Sequence, residues 1–154
     1  MNIIKKIKIF NMNHFLLCTG IFLMNFALSY GQKLTPVTWT FEIKKVNETE
    51  IELTATANIK NGWTIYSQFT DDNGPVPTAF IIGSETMSFE EKSISSKDYD
   101  PIFEVNVIKF KDKAVFTKII KIIDKNEVSG YVTFMTCDGE KCLPPADVEF
   151  SFKL

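Results

Sequence analysis

An all-β fold, two antiparallel sheets packed as a sandwich, is what this 154-residue sequence predicts, and three observations carry the prediction. Apolar and polar residues alternate with a period of two over much of the chain, the pattern of half-buried strands. Turn-forming clusters separate these stretches at short intervals. No stretch of helix length carries a convincing helical pattern. Among sandwiches, short strands with frequent turns fit most simply an immunoglobulin-like arrangement.

Taken in order, "WTFEI" puts Trp39, Phe41 and Ile43 on one face, and "IELTATANI" does the same with Ile51, Leu53, Ala55, Ala57 and Ile59. "VEFSFKL" closes the chain with Val148, Phe150, Phe152 and Leu154 directed inward. Turns are expected at "NET", "NG", "DDNGP", "DYDP", "KDK", "DKNE" and "DG". Asn47-Glu48-Thr49 has the form of a glycosylation sequon, but a turn between two strands accounts for it. Asp71–Gly74 lacks the alternating oxygen ligands and closing glutamate of a calcium loop, so no metal is expected there.

The N-terminus reads as a leader. Lys5, Lys6 and Lys8 precede an apolar run from Phe15 to Leu28, which is short for a bilayer span of roughly 20 apolar residues and suits a secretory signal peptide. Cleavage is expected after Gly31. Cys18 would suit a lipoprotein anchor less well, because Leu17 precedes it where a small residue is wanted. Residues 32–154 then form one domain of sufficient length for its own core, exported and periplasmic, with no mature membrane span: Ile119–Ile123 is interrupted by Lys121.

Composition narrows the chemistry. The chain has a net charge of −2, and removal of the three leader lysines makes it more negative, so nucleic acid is not an expected partner. All 17 basic residues are lysine, which leaves no guanidinium for bidentate phosphate binding. The single histidine, His14, lies in the leader. A mature domain without histidine has no Ser-His or Cys-His nucleophile pair and lacks the commonest transition-metal ligand. No metal and no cofactor are expected; the chemistry left is that of Cys137, Cys142, carboxylates, lysines and tyrosines.

In "FMTCDGEKCLPP", Cys137 and Cys142 flank an Asp-Gly turn. Two cysteines in an exported protein are usually joined, and a structural disulfide is the plain reading. Two features weigh against it. Bridging so short a loop contributes only about 2 kcal/mol in the chain-entropy model, and the hairpin tip, with Asp138, Glu140 and Lys141 in water, is expected to leave the disulfide open to attack by a thiolate. Pro144-Pro145 prevents a helix after Cys142, so a thiolate there would be tuned by side chains rather than by a helix dipole. On these grounds alone the pair is either a staple or a reagent.

Four segments bear a family resemblance: "NGWTIYSQ" (Asn61–Gln68), "GPVPTAF" (Gly74–Phe80), "YDPIFEVNVIKFKDKAVF" (Tyr99–Phe116) and "GYVTFMTCDGEKCLPPADVEF" (Gly130–Phe150). From about Trp39 onward the sequence resembles the periplasmic N-terminal domain of the thiol:disulfide interchange protein DsbD. The resemblance implies an immunoglobulin-like domain passing reducing equivalents between thioredoxin-like redox proteins or domains. In that reading Cys142 forms the mixed disulfide with partners and Cys137 resolves it. It also implies a cap over the pair at Asp98–Phe103, with Phe103 as aromatic shield and Asp100 as nearby carboxylate, and places Tyr66 and Trp63 at the aromatic positions under the site. Each has a plainer reading: Trp63 as core, Phe103 as part of the run Phe103, Val105, Val107, and Asp100-Pro101 as a turn. Family members continue into a membrane region and a thioredoxin-like domain, whereas this sequence runs to Leu154; the expectation is that separate proteins, a membrane electron transporter among them, supply the electrons, or that this is a stand-alone copy with another job. The alternative is a non-catalytic immunoglobulin-like binding module with a structural hairpin disulfide.

Overall fold

The computed structural model of the chain describes residues 34–71, 73–122 and 127–154. The expected leader, Asp72 of the DDNGP turn and most of the DKNE turn lie outside the described residues.

Among the described residues there are eleven strands and no helix. β1 (Val37–Lys45), β2 (Glu50–Ile59), β9 (Lys113–Lys121) and β6 (Glu90–Glu91) form the smaller sheet in that order. In the larger sheet, β10 (Glu127–Cys137) is central: β11 (Cys142–Lys153) pairs along one edge, while β4 (Ala79–Ile82) and β3 (Thr64–Tyr66) share the other. β5 (Glu85–Met87) extends the sheet beyond β4, and β8 (Val105–Phe110) followed by β7 (Ser96–Asp100) extends it beyond β3. Every pairing is antiparallel. This is the immunoglobulin-like sandwich that the alternation predicts.

Size complementarity across the ladder builds the core. In β2 the small Ala55 and Ala57 lie opposite Phe41 and Trp39 of β1 on one side, and Ala55 lies opposite Phe116 of β9 on the other. That leaves room for rings to reach the facing sheet. Trp39 meets Phe134 with centroids 5.5 Å apart, Phe41 meets Phe150 at 4.7 Å, and Phe116 meets Phe80 at 5.2 Å. Burying one such side chain contributes about 1.5–3 kcal/mol, so the sandwich has a stabilising core without any cross-link.

The loop after β3 is tied to both sheets. Ser67 Oγ and Gln68 N each donate to Glu91 Oε1 of β6 at 2.9 Å. The Gln68 amide side chain imitates a rung of sheet, donating to Phe89 O at 3.1 Å and accepting from Phe89 N at 2.9 Å. Thr78 Oγ1 donates to Tyr66 O at 2.6 Å.

Two expectations need correction. Leu154 lies past the end of β11 and is 42% exposed rather than inward. "DYDP" is not wholly a turn: Asp98, Tyr99 and Asp100 complete β7, pairing with Val107, Asn106 and Val105, and the turn is Pro101–Glu104. Hydrogen bonding to β8 overrides the local turn preference of aspartate.

Candidate functional site

Side-chain alternation divides β10 between two environments. Val128, Val132 and Phe134 enter the core between the sheets. Cys137 has the opposite parity, so it projects from the outer face of the larger sheet. The neighbouring strands split in the same way: Ile65 of β3 and Phe110 of β8 enter the core, whereas Tyr66, Val107 and Val105 do not. These outward residues form a second cluster in which Tyr66, Val107 and Cys137 are buried and Phe103, Val105, Met135 and Cys142 pack around them.

Cys142 reaches this face because β11 contains an extra residue. Phe134 pairs with Ala146, yet two residues later Thr136 pairs with Leu143 and Cys137 with Cys142. Three steps along β11 thus match two along β10, and the surplus falls at Pro144-Pro145. In an unbroken ladder continued from Ala146, Cys137 would face Leu143, and Cys142 would share the core-facing parity of Val148 and Phe150. A bulge is also where a strand tolerates residues without an N–H.

The connecting turn is shaped by Asp138. Its Oδ1 accepts hydrogen bonds from the N–H groups of Glu140 and Lys141, both at 3.0 Å, while Gly139 takes the left-handed φ of +91° that residues with a β-carbon avoid. Those two backbone donors, Lys141 first, hold the Asp138 carboxyl below the usual carboxylate range. Cys137 and Cys142 are bonded across this hairpin, with Cα atoms 4.1 Å apart.

Contrary to expectation, Cys137 does not share the exposure of the hairpin tip. The tip residues Gly139, Glu140 and Lys141 are exposed, but Cys137 is only 1% exposed and Cys142 is half-buried. Both cysteines pack with the cluster on the outer face of the sheet rather than with the exposed tip residues.

Above the cluster lies the Pro101–Glu104 turn. Phe103 packs onto the cluster and meets Tyr66 edge to face, with centroids 6.5 Å apart. Asp100, 4% exposed, ties the turn to the floor. Its Oδ2 accepts from Tyr66 Oη at 2.9 Å, and its Oδ1 accepts from Ile102 N at 3.0 Å and Phe103 N at 3.4 Å. Burial, reinforced by the Asp100 hydrogen bond, pushes the Tyr66 phenol well above its ordinary pKa, so it remains a donor at neutral pH.

The structure therefore brings together Cys137, Cys142, Tyr66, Asp100 and Phe103. Trp63 packs against the large core and also lines a crevice of about 380 Å³ whose walls include Asp100, Lys109 and Asp138. Phe103, Val105 and Val107 share one face of β8 and its preceding turn and pack in the same cluster as the cysteines. Sequence reasoning missed Met135, which could have been found from its parity with Cys137. It also missed Gly74, where a β-carbon would lie 2.8 Å from Val105 Cγ2 and 3.7 Å from Phe103 Cβ; the loop backbone rests against the flank of the cap. Among the described residues no group of three or more His, Cys, Asp or Glu side chains is placed to hold a metal, and no helix is long and apolar enough to cross a membrane.

No protein-family model matches the chain, and neither does any curated protein. Solved structures do. The crystal structure of the N-terminal periplasmic domain of ScsB from Proteus mirabilis matches with a TM-score of 0.63 and 14% identity, over 78% of this chain and 47% of that one. The N-terminal domain of DsbD from Neisseria meningitidis, in its reduced form, matches with a TM-score of 0.46 and 17% identity, over 75% and 84% respectively. The chain spans about half the length of the ScsB domain. In fold, the chain is similar to the N-terminal periplasmic domain of ScsB.

Proposed function

We propose that this is an exported thiol-disulfide exchange domain, its leader spanning residues 1–31, which passes reducing equivalents between thioredoxin-like proteins through Cys137 and Cys142. One observation carries the reading: the cystine lies on the outer face of the larger sheet, in its own covered cluster, rather than between the sheets where it would brace the sandwich. The ScsB domain of similar fold is periplasmic, which suits the same compartment here.

In the reductive half-reaction, a donor thiolate attacks Sγ of Cys142, the less buried cysteine, and Cys137 Sγ leaves as a thiolate that takes up a proton. The donor's second thiolate then attacks its own sulfur in the mixed disulfide and releases Cys142. The domain gains two electrons and two protons, and the donor becomes the disulfide. Delivery to an acceptor disulfide reverses these roles: Cys142 attacks and Cys137 resolves. The cysteines carry the electrons themselves, without a cofactor. Phe103 shields the pair, Asp100 and Tyr66 support the shield, and Trp63 backs the hairpin from the crevice.

The burial of Cys137 favours a second reading, a non-catalytic immunoglobulin-like binding module with an inert disulfide. The reduction potential separates the two. A working cystine equilibrates with dithiol buffers above about −300 mV, below which structural disulfides of secreted proteins usually lie. A much lower potential, with no exchange with any reduced thioredoxin-like protein, sinks the exchange reading.

The roles of the sulfurs are tested by trapping. Cys137→Ser is expected to hold a thioredoxin-like partner, itself lacking its resolving cysteine, as a mixed disulfide through Cys142; Cys142→Ser is expected to hold little. Non-reducing gels read the result, and trapping only through Cys137 reverses the assignment.

A further inference from the structure

Two edge strands of the sandwich lie side by side. Among the described residues β1 pairs with β2 alone and β11 with β10 alone, and the two edges meet where Phe41 packs on Phe150. The seam between them is apolar and incompletely covered: Trp39, Phe41 and Ile43 of β1 and Val148 and Phe152 of β11 pack against the core yet stay half-buried.

Edge strands usually carry devices that keep other strands away, prolines, bulges and charges among them. In β11 the prolines and the bulge are confined to Pro144-Pro145; from Ala146 to Lys153 the strand runs unbroken, with Asp147, Glu149, Ser151 and Lys153 exposed on its outer face. Charges discourage pairing only where like meets like, so the register decides. When β11 meets an antiparallel copy of itself, the parities must match for the apolar faces to stay on one side. Setting Glu149 opposite its own copy, or Asp147 opposite Glu149, brings acid against acid. Setting Phe150 opposite its own copy does the reverse: Asp147 faces Lys153 at both ends, Glu149 faces Ser151, and on the inner face Val148 meets Phe152.

We infer that the free edge of β11 is a self-association surface, at which a second copy of this chain adds its own β11 antiparallel about a two-fold axis through Phe150. The contact is isologous and closes at a dimer, joining the two larger sheets into one. Val148 and Phe152 of each copy cover the half-buried seam of the other. The two prolines, which lack an N–H, end the new ladder before the cysteines. Both cystines stay outside the interface and on the same face of the joined sheet, so the inference goes beyond the exchange reading and does not depend on it.

Sedimentation of the oxidised protein over a range of concentrations tests this. A reversible monomer–dimer equilibrium is expected. Amide exchange within 146–153 is expected to slow at every second residue as the dimer forms, because only alternate N–H groups of an edge strand point outward. Asp147→Lys sets lysine against Lys153 twice, and Lys153→Asp sets acid against Asp147 twice; each is expected to weaken the dimer about tenfold, the combined effect of two cross-strand pairs. Asp147→Lys together with Lys153→Asp restores opposite charges and is expected to return to within about threefold of the parent.

A protein that stays monomeric to about 1 mM overturns the inference. So does a dimer without alternating protection in 146–153, or one that neither single charge change weakens. Weakening by Lys153→Asp but not by Asp147→Lys would set Lys153 opposite Glu149 and overturn the register. Species that keep growing with concentration would mean an open contact of β11 with β1 and overturn the closed dimer. Asp147 also accepts a hydrogen bond from Thr133 Oγ1 within its own sheet; if Asp147→Lys fails to fold, Lys153→Asp and the amide exchange decide the point.

Discussion

Between the sheets, Leu53, Phe80 and Phe116 are fully buried among other apolar side chains; on the outer face of the larger sheet, Tyr66 and Cys137 are buried as deeply, beside a carboxylate. The large cluster spans both sheets and has many overlapping aromatic contacts. The small one is a single layer, closed from above by one turn and supported by a few hydrogen bonds. Removing a ring from the first affects the whole sandwich, whereas uncovering the second requires only local rearrangement. On the proposed exchange reading, this difference would let one small domain keep its disulfide largely covered and uncover it by a local change.

The comparison is tested most severely by deleting a ring from each side. Phe116→Ala is expected to destabilise the domain by about 3–5 kcal/mol, the usual cost of a large core truncation. Phe103→Ala is expected to cost less in denaturant melts while accelerating reduction of the cystine by small thiols. Equal losses of stability would show that the cap is part of the main core.

Next in size is loss of the bond itself. Cys137→Ser with Cys142→Ser is expected to leave a folded domain, destabilised by about 2 kcal/mol, with thiol exchange abolished. A double mutant that is globally unfolded at room temperature would make the disulfide a staple.

How much of this was legible depends on range. The alternation of Trp39, Phe41 and Ile43 against Ala55 and Ala57 needs only local sequence, and it gave both strands and their inward faces. The position of the cystine was harder to read. The hairpin tip is as polar as Asp138, Glu140 and Lys141 suggest, but exposure of a turn does not determine the direction of the sulfurs flanking it. Parity with Val132 and Phe134 would have placed Cys137 on the outer face. For Cys142, parity alone misleads, because the extra residue in β11 changes the count. Tyr66 and Asp100, 34 residues apart, are joined by a buried hydrogen bond that depends on the β3–β8–β7 arrangement, which no local pattern encodes.

A smaller effect follows from titration of Tyr66. Tyr66 has a folded-state pKa raised above its unfolded value. Its contribution is therefore fully present below the unfolded phenol value of about 10 and is lost as pH rises from there toward the folded value. Stability is expected to be level across neutral pH in this respect and to fall above about pH 10, less steeply in Tyr66→Phe. Asp138 has the opposite sign: its depressed carboxyl supports the hairpin turn above the unfolded aspartate value near 4 and loses that support as pH falls through the folded one. Chemical shifts of Glu140 and Lys141 amides against pH report it; no movement through the acid range would remove the assigned role.

The smallest expected effect comes from removing one residue. Pro144-Pro145 supplies the surplus that makes three steps of β11 match two of β10. Deleting one proline therefore leaves an unbroken ladder in which Phe134 still faces Ala146, Thr136 still faces Leu143 and Cys137 still faces Cys142. The disulfide is expected to persist, with its covered surroundings little changed. Deleting both prolines shifts the count again and sets Cys142 opposite Thr136 on the core-facing side, away from Cys137. Thiol titration of the two variants after air oxidation distinguishes them: no free thiol is expected in the first and two in the second. Two free thiols after the single deletion would mean that the bulge directs Cys142 by more than its residue count, and the register account of the site would have to be abandoned.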